Sequence, residues 1–253
     1  MIAYFIGCTL SYFLAATNET PESFLKELSL KRAAVGTLYA QMRLENTTPE
    51  QKTESRGTVL YIRPNRLVFR IFDGENEEAK QVFVVDSNKV YEYDASIEQL
   101  QIYDLGENRE MRAIFSAFES DLTQLQDYYD IELFEPGDAA DRAVQGLMLV
   151  PKNLMEDRSR LFERVRVYLR DKDYLPTLIH VVNDADSEAV MYFDDLKVDP
   201  ILPRHADQIT LPKGTKIIEN DDKVRTVRTE VEYIPESLLK TTSDTQPDKL
   251  RTK

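Results

Sequence analysis

The chain has 253 residues, of which 42% are hydrophobic and 30% charged, a balance that excludes a wholly disordered protein and leaves room for one large core. Its formal charge of -13 at pH 7 excludes a protein organised around nucleic-acid phosphates, whose binding depends on Lys and Arg. Cys8 is the only cysteine, and His180 and His205 lack ligand partners at zinc spacing, so an internal disulfide and a sequence-encoded metal centre are both excluded as expectations.

Residues 2–16 are apolar and nearly uncharged, then the chain turns polar at Thr17 and Asn18. The length suits a secretory signal better than a membrane span, with Ala15 and Ala16 near a plausible cleavage point and no basic residue ahead of the apolar run. We therefore expect residues 1–19 to be a signal-like segment and the protein to be exported. Phe5-Ile6-Gly7-Cys8 is similar to a lipidation box, but with translation starting at Met1, Cys8 is expected to leave with the signal.

Thr20-Pro21-Glu22 reads as a helix start, because Thr20 can cap, Pro21 suits the first helical position and Glu22 favours the positive end of the dipole. Phe24, Leu25, Leu28, Val35, Leu38 and Met42 recur at helical steps, which predicts one apolar face over this region with a bend or break at Gly36. From Gly57 the period becomes two. Val59 and Tyr61, then Leu67, Phe69 and Ile71, predict a hairpin turning at Pro64-Asn65.

Residues 73–80 form an acidic loop that lacks the EF-hand pattern. Short strands are predicted at 81–85, 89–93 and 99–103, followed by helical spacing at Met111, Ile114, Phe115 and Phe118. That helix is too short to be stable unpacked and is expected to act as a lid. Strands resume at 130–134, 144–150, 162–169, 176–182, 188–193 and 208–211, with one more predicted at 224–234 and a fraying polar tail beyond Lys240.

This order predicts an α+β fold: a curved antiparallel sheet of about 10–11 strands with helices covering one face. Strands 67–72 and 81–85 carry apolar residues on both faces, which fits either a packed sandwich or a sheet closed around an apolar ligand. No Gly-x-Ser-x-Gly elbow or phosphate loop occurs, and the pairs Asp184/Asp186 and Asp194/Asp195 read better as acidic turns than as catalytic carboxylates. No catalytic residue, metal ligand or cofactor is assigned.

Gly57-Thr58-Val59-Leu60-Tyr61-Ile62-Arg63-Pro64-Asn65-Arg66-Leu67-Val68-Phe69 resembles the Gly-x-Leu-x-x-x-Arg-Pro-Asn-x-apolar-x-aromatic hairpin of the LolA lipoprotein carriers. Val84 to Asp94 is similar to that family's Asp-Gly-Lys hairpin, with Ser87 where glycine is usual. Leu147 to Lys152 and Leu211-Pro212-Lys213-Gly214-Thr215 follow in the family's order. Tryptophan, frequent in relatives, is absent here.

The resemblance implies an incomplete β-barrel over residues 20–219 with helices as its lid, followed by an extension at 220–253. It also implies a periplasmic, monomeric, non-enzymatic carrier of lipoprotein acyl chains or another lipid, served by an inner-membrane release complex and an outer-membrane acceptor. Val59, Tyr61, Leu67, Phe69, Ile71, Tyr91, Tyr93, Val165 and Val167 are the implied cavity. Arg63 is the implied gate, holding the lid of Met111, Ile114, Phe115 and Phe118 through backbone hydrogen bonds. A second reading is a lipid-sensing regulator of the RseB type; a third, an envelope hydrolase using the acidic loops.

Overall fold

The structure, a computed structural model, describes residues 20–74, 78–107, 109–119, 122, 125–137, 143–152, 162–183, 186–204, 206–219, 223–227 and 231–233. The signal-like segment, Cys8, Asp184, His205 and the tail after Tyr233 lie outside the described residues.

Helix α1 (Pro21–Arg32) begins as its sequence predicts: Thr20 is the N-cap and its hydroxyl accepts from the Ser23 amide at 3.3 Å. Phe24, Leu25 and Leu28 are buried. The helical reading of Val35, Leu38 and Met42 is corrected, because the chain turns at Ala33–Gly36 into strand β1 (Thr37–Thr47). Within β1, Leu38, Ala40 and Met42 are buried on one face, so their spacing of two, not the coincidental four between Leu38 and Met42, carries the structure. Asp199 secures this corner by accepting hydrogen bonds on Oδ1 from the amides of Gly36 (3.0 Å) and Thr37 (2.7 Å). These bonds, that from Thr37 first, hold its carboxyl below the ordinary value.

Strands β2 (Lys52–Ile62), β3 (Arg66–Phe72), β4 (Ala79–Asp86), β5 (Lys89–Asp94) and β6 (Gln99–Asp104) continue from β1 as an antiparallel meander. The β4–β5 turn places Ser87 at φ 59°, the conformation glycine would favour. Its hydroxyl accepts a hydrogen bond from the Asn65 side-chain amide at 3.1 Å, tying the two adjacent hairpin turns together. A second meander runs through β7 (Tyr129–Phe134), β8 (Gln145–Pro151), β9 (Arg164–Leu169), β10 (Pro176–Val182) and β11 (Glu188–Val198). It joins the first by pairing β11 with β1.

After β11 come the short strands β12 (Ile209–Leu211), β13 (Lys216–Glu219), β14 (Lys223–Thr226) and β15 (Val231–Tyr233). The described residues form a 13-stranded open sheet ordered β14-β13-β6-β5-β4-β3-β2-β1-β11-β10-β9-β8-β7, with β12 and β15 paired separately. The strand expected over 224–234 is thus two strands. In the open sheet β6 and β7, consecutive in sequence, lie toward opposite ends of the order, so the chain between them must cross the sheet. It does so on the inner face, through α2 (Arg109–Ser116) and α3 (Leu125–Tyr128).

The sheet curves around these helices. One apolar cluster joins Phe24 and Leu28 of α1, Phe115 and Phe118, and residues from both meanders, including Val59, Leu67, Val165, Ile179 and Phe193. A second cluster lies on the outer face, where Leu60, Val68, Val84, Tyr91, Leu100 and Ile217 pack with Ile209, Leu211 and Val227. The two-sided apolarity of β3 and β4 is explained by this: the second face meets the chain's own C-terminal segment. Arg66 clamps that segment by donating to Asp86 at 2.6 Å and to Asp207 at 2.7 Å, while Arg70 donates to the Gln208 carbonyl at 2.7 Å.

Candidate functional site

Of the nine residues expected to line a lipid cavity, Val59, Tyr61, Leu67, Phe69, Val165 and Val167 are buried in the inner apolar cluster. Register brings Val59 opposite Phe69 and Tyr61 opposite Leu67 across β2 and β3, and Val165 and Val167 approach from β9 in the same cluster. Ile71 packs at its edge, partly buried. Gly57 continues this row and is required by close approach: a Cβ there would fall 2.4 Å from the Arg70 carbonyl oxygen and 2.7 Å from Cε of Met42.

Tyr91 and Tyr93 do not join this set. Val90 belongs to the inner cluster, and alternation along β5 then sends Tyr91 and Tyr93 to the outer one. Burial and a Thr215 hydrogen bond act oppositely on the Tyr93 hydroxyl, and burial prevails, raising its pKa. The inner face takes its aromatic residues from elsewhere, with Phe83 of β4, Tyr103 of β6 and Phe193 of β11 in contact with the cluster. The parity of Phe83 with Val85 on β4 carried that signal.

The interior is closed by α2 and the turn after it. Ile114, Phe115, Ala117 and Phe118 are each at most 4% exposed, and Met111 packs partly buried at the edge. The Phe118 ring meets Phe69 edge-on with centroids 6.2 Å apart and Phe193 edge-on at 5.5 Å. Such geometry places the positive ring edge against the negative face and adds about 0.5–1.5 kcal/mol beyond area burial. Phe118 therefore occupies the inner surface between β3 and β11.

Arg63 is placed away from that lid. Its guanidinium donates to the Ala33 carbonyl and its amide to the Gly36 carbonyl, so it braces the α1–β1 corner. The guanidinium that reaches the lid is Arg32, in the last turn of α1, a residue the sequence reading did not single out. Arg32 is 2% exposed; Nη1 donates to the Glu119 carbonyl at 3.0 Å, just past α2, while Nε and Nη2 donate to the Tyr174 carbonyl at 3.0 and 2.6 Å. Burial pushes its pKa down to about 9, which still leaves it charged at neutral pH.

Tyr174 is held for this purpose by its own turn between β9 and β10. It adopts φ 52°, its ring packs on Phe24 at 5.1 Å, and Lys31 Nζ lies 3.7 Å from its centroid. The neighbouring Asp173 accepts from Arg170 at 2.7 and 2.6 Å and from the Leu175 amide at 3.2 Å. Burial works to raise the Asp173 pKa, but these hydrogen bonds and the charges of Arg170 and Lys172 outweigh it and hold the carboxyl below its usual range.

Of the acidic residues singled out, Asp195 has a local role. Asp195 sits at φ 48° where the β1–β11 register shifts, and pairs with Lys197 at 2.7 Å, the signature of a bulge in a long strand. Among the described residues no helix is long and apolar enough to cross a membrane.

Comparison with known proteins adds one sequence match and several resemblances of form. The model of the family described as outer membrane lipoprotein carrier protein LolA matches residues 34–206. No curated protein is matched. Similar solved structures include an uncharacterized conserved protein from Thermus thermophilus, at 13% identity over 79% of this chain and 100% of that one, TM-score 0.48. A LolA superfamily protein from Nitrosomonas europaea is 13% identical over 75% and 97%, TM-score 0.38. A chain of the Pseudomonas aeruginosa MucA/MucB complex is 17% identical over 74% of this chain and 59% of that one, TM-score 0.42.

Proposed function

We propose, from the premise that this chain belongs to the family of the outer membrane lipoprotein carrier protein LolA, that it binds the acyl chains of lipoproteins, or of another lipid, between its inner sheet face and α2. The observation that carries this reading is the seat of Phe118 between Phe69 and Phe193. A single ring at the exit of an eight-residue helix is a replaceable plug. A helix so short depends on packing for its stability, so its departure uncovers Leu67 and Phe69 at far lower cost than separating strands. An acyl chain entering there meets apolar walls and gains about 0.8 kcal/mol per buried methylene.

Release is as important as capture. The closed state refills the interior with the lid's own Ile114, Phe115 and Phe118, so these side chains compete with cargo and limit its affinity. The work is binding without covalent chemistry, and it belongs to an exported, monomeric protein acting in the periplasm between a membrane complex that surrenders the lipoprotein and an outer-membrane acceptor. We assign the interior to Val59, Tyr61, Leu67, Phe69, Ile71, Val165 and Val167, and the lid to Met111, Ile114, Phe115 and Phe118.

The test is native mass spectrometry with lipid extraction on the exported protein, comparing wild type with Leu67→Glu. Co-purified lipid or acylated protein that is lost in the variant supports the carrier. Wild-type protein that stays empty after incubation with acylated lipoprotein refutes it and favours a regulator of the RseB type.

A further inference from the structure

Strands β9 and β10 present a second site, on the sheet face opposite to the apolar interior. Val165 and Val167 point inward, so Arg164 and Arg166 share the outer face of β9. Across the antiparallel pair Arg166 stands directly opposite His180, and Arg164 opposite Val182. Two guanidinium groups at neighbouring same-face positions of one strand repel each other unless negative charge sits among them.

The surrounding carboxylates answer this only in part. Glu188 is engaged with His180, Oε2 lying 2.7 Å from Nε2. Glu163 approaches Nη1 of Arg164 no closer than 3.7 Å, outside hydrogen-bond range. Nε of Arg164 is shielded from solvent and has no hydrogen-bond partner among the described residues. Asp186 also borders the site, and it already has an interaction of its own. These groups enclose an open pocket of about 520 Å³, rimmed by the hydroxyl-bearing Thr47 and Ser187.

We propose that this pocket binds a phosphate-type oxyanion, free or as the headgroup of a phospholipid, with Arg164 and Arg166 as its principal donors. A guanidinium offers a planar fork that matches two oxygens of a tetrahedral phosphate, and two forks on adjacent same-face positions can divide the oxygens between them. The hydroxyls of Thr47 and Ser187 add uncharged donors at the rim. In a chain of formal charge -13, diffuse attraction does not bring anions to the surface, so recognition here depends on this local geometry. The site is independent of the carrier reading, because neither arginine belongs to the apolar interior.

The experiment uses the whole exported protein in two arms at physiological salt. Titration with inorganic phosphate, followed by calorimetry, is compared among wild type, Arg166→Gln and Arg164→Gln, with unfolding midpoints measured on each. Sedimentation with phosphatidylglycerol vesicles is compared across the same proteins. Phosphate binding that weakens about tenfold in a folded variant, without vesicle binding, identifies a free oxyanion as ligand. Vesicle binding that is lost in the same variants identifies the headgroup. Absence of both in wild type, or binding equal in wild type and the two variants, overturns the proposal. Should one variant fail to fold, the other and the wild-type titration still decide.

Discussion

The guanidinium of Arg32 and the carbonyl of Tyr174 are joined by two hydrogen bonds, 3.0 Å from Nε and 2.6 Å from Nη2, while Nη1 of the same group reaches the carbonyl of Glu119. One buried cation thus ties the end of α1 to the β9–β10 turn and to the exit of the lid. Arg32→Met, which keeps the stem volume, removes the guanidinium donors from the carbonyls of Tyr174 and Glu119. It is expected to destabilise the protein by about 1–3 kcal/mol and to speed hydrogen exchange in α2. Urea unfolding and exchange mass spectrometry check both, and unchanged exchange in α2 would show that Arg32 does not restrain the lid.

Phe118→Ala removes the ring between Phe69 and Phe193. Stability should fall by about 3–5 kcal/mol, as for other buried aromatic residues cut to alanine. The vacated space should at the same time raise the affinity for a fluorescent fatty acid, because the lid no longer competes for it. A variant that is destabilised yet binds the fatty acid less well than wild type contradicts the plug.

Gly57→Ala brings a methyl group into the Arg70 carbonyl oxygen. Backbone cannot yield as a side-chain tip does, so the β2–β3 ladder has to distort, with an expected cost above about 1 kcal/mol. Thermal unfolding measures it. A neutral result would mean that the two strands separate more easily than this contact implies.

Asp173 provides a pH dependence with a definite sign. Its carboxyl titrates lower in the folded protein than in the unfolded chain, so it contributes stability that is fully present above the unfolded value and is lost as pH falls through the folded one. The loss is confined to roughly pH 4 and below. In Asp173→Asn, the unfolding midpoint should be lower at neutral pH and should decline less between neutrality and that acid range. Parallel pH profiles for the two proteins would remove Asp173 as a source of acid sensitivity.

Much of the fold was legible because alternation is a local property. The turns at Pro64-Asn65, Asp86-Ser87-Asn88 and Asp94-Ala95-Ser96 separate strands whose parity is plain in the sequence, and β2 to β6 formed as those turns imply. The reading failed at β1, where Leu38 and Met42 satisfy a helical step as well as a strand step. At Tyr91 and Tyr93, which the resemblance implied for the cavity, alternation along β5 instead sends both to the outer cluster, with Val90 beside them on the inner side.

By itself the sequence determined the run of strands and turns from β2 to β6, the capped start of α1, the apolar row Val59, Tyr61, Leu67 and Phe69, and the short helix at Ile114 and Phe115, each set by spacing between near neighbours. Which face of that sheet becomes the interior was decided only by tertiary structure. The two faces of β3 and β4 are both apolar, and what distinguishes them is that α2 crosses one on its way from β6 to β7 while Ile209 and Leu211 return to cover the other. The partners of Arg32 are of the same kind, 87 and 142 residues away along the chain. Periodicity reports the pattern of a segment, and no local pattern names the distant segment that packs against it.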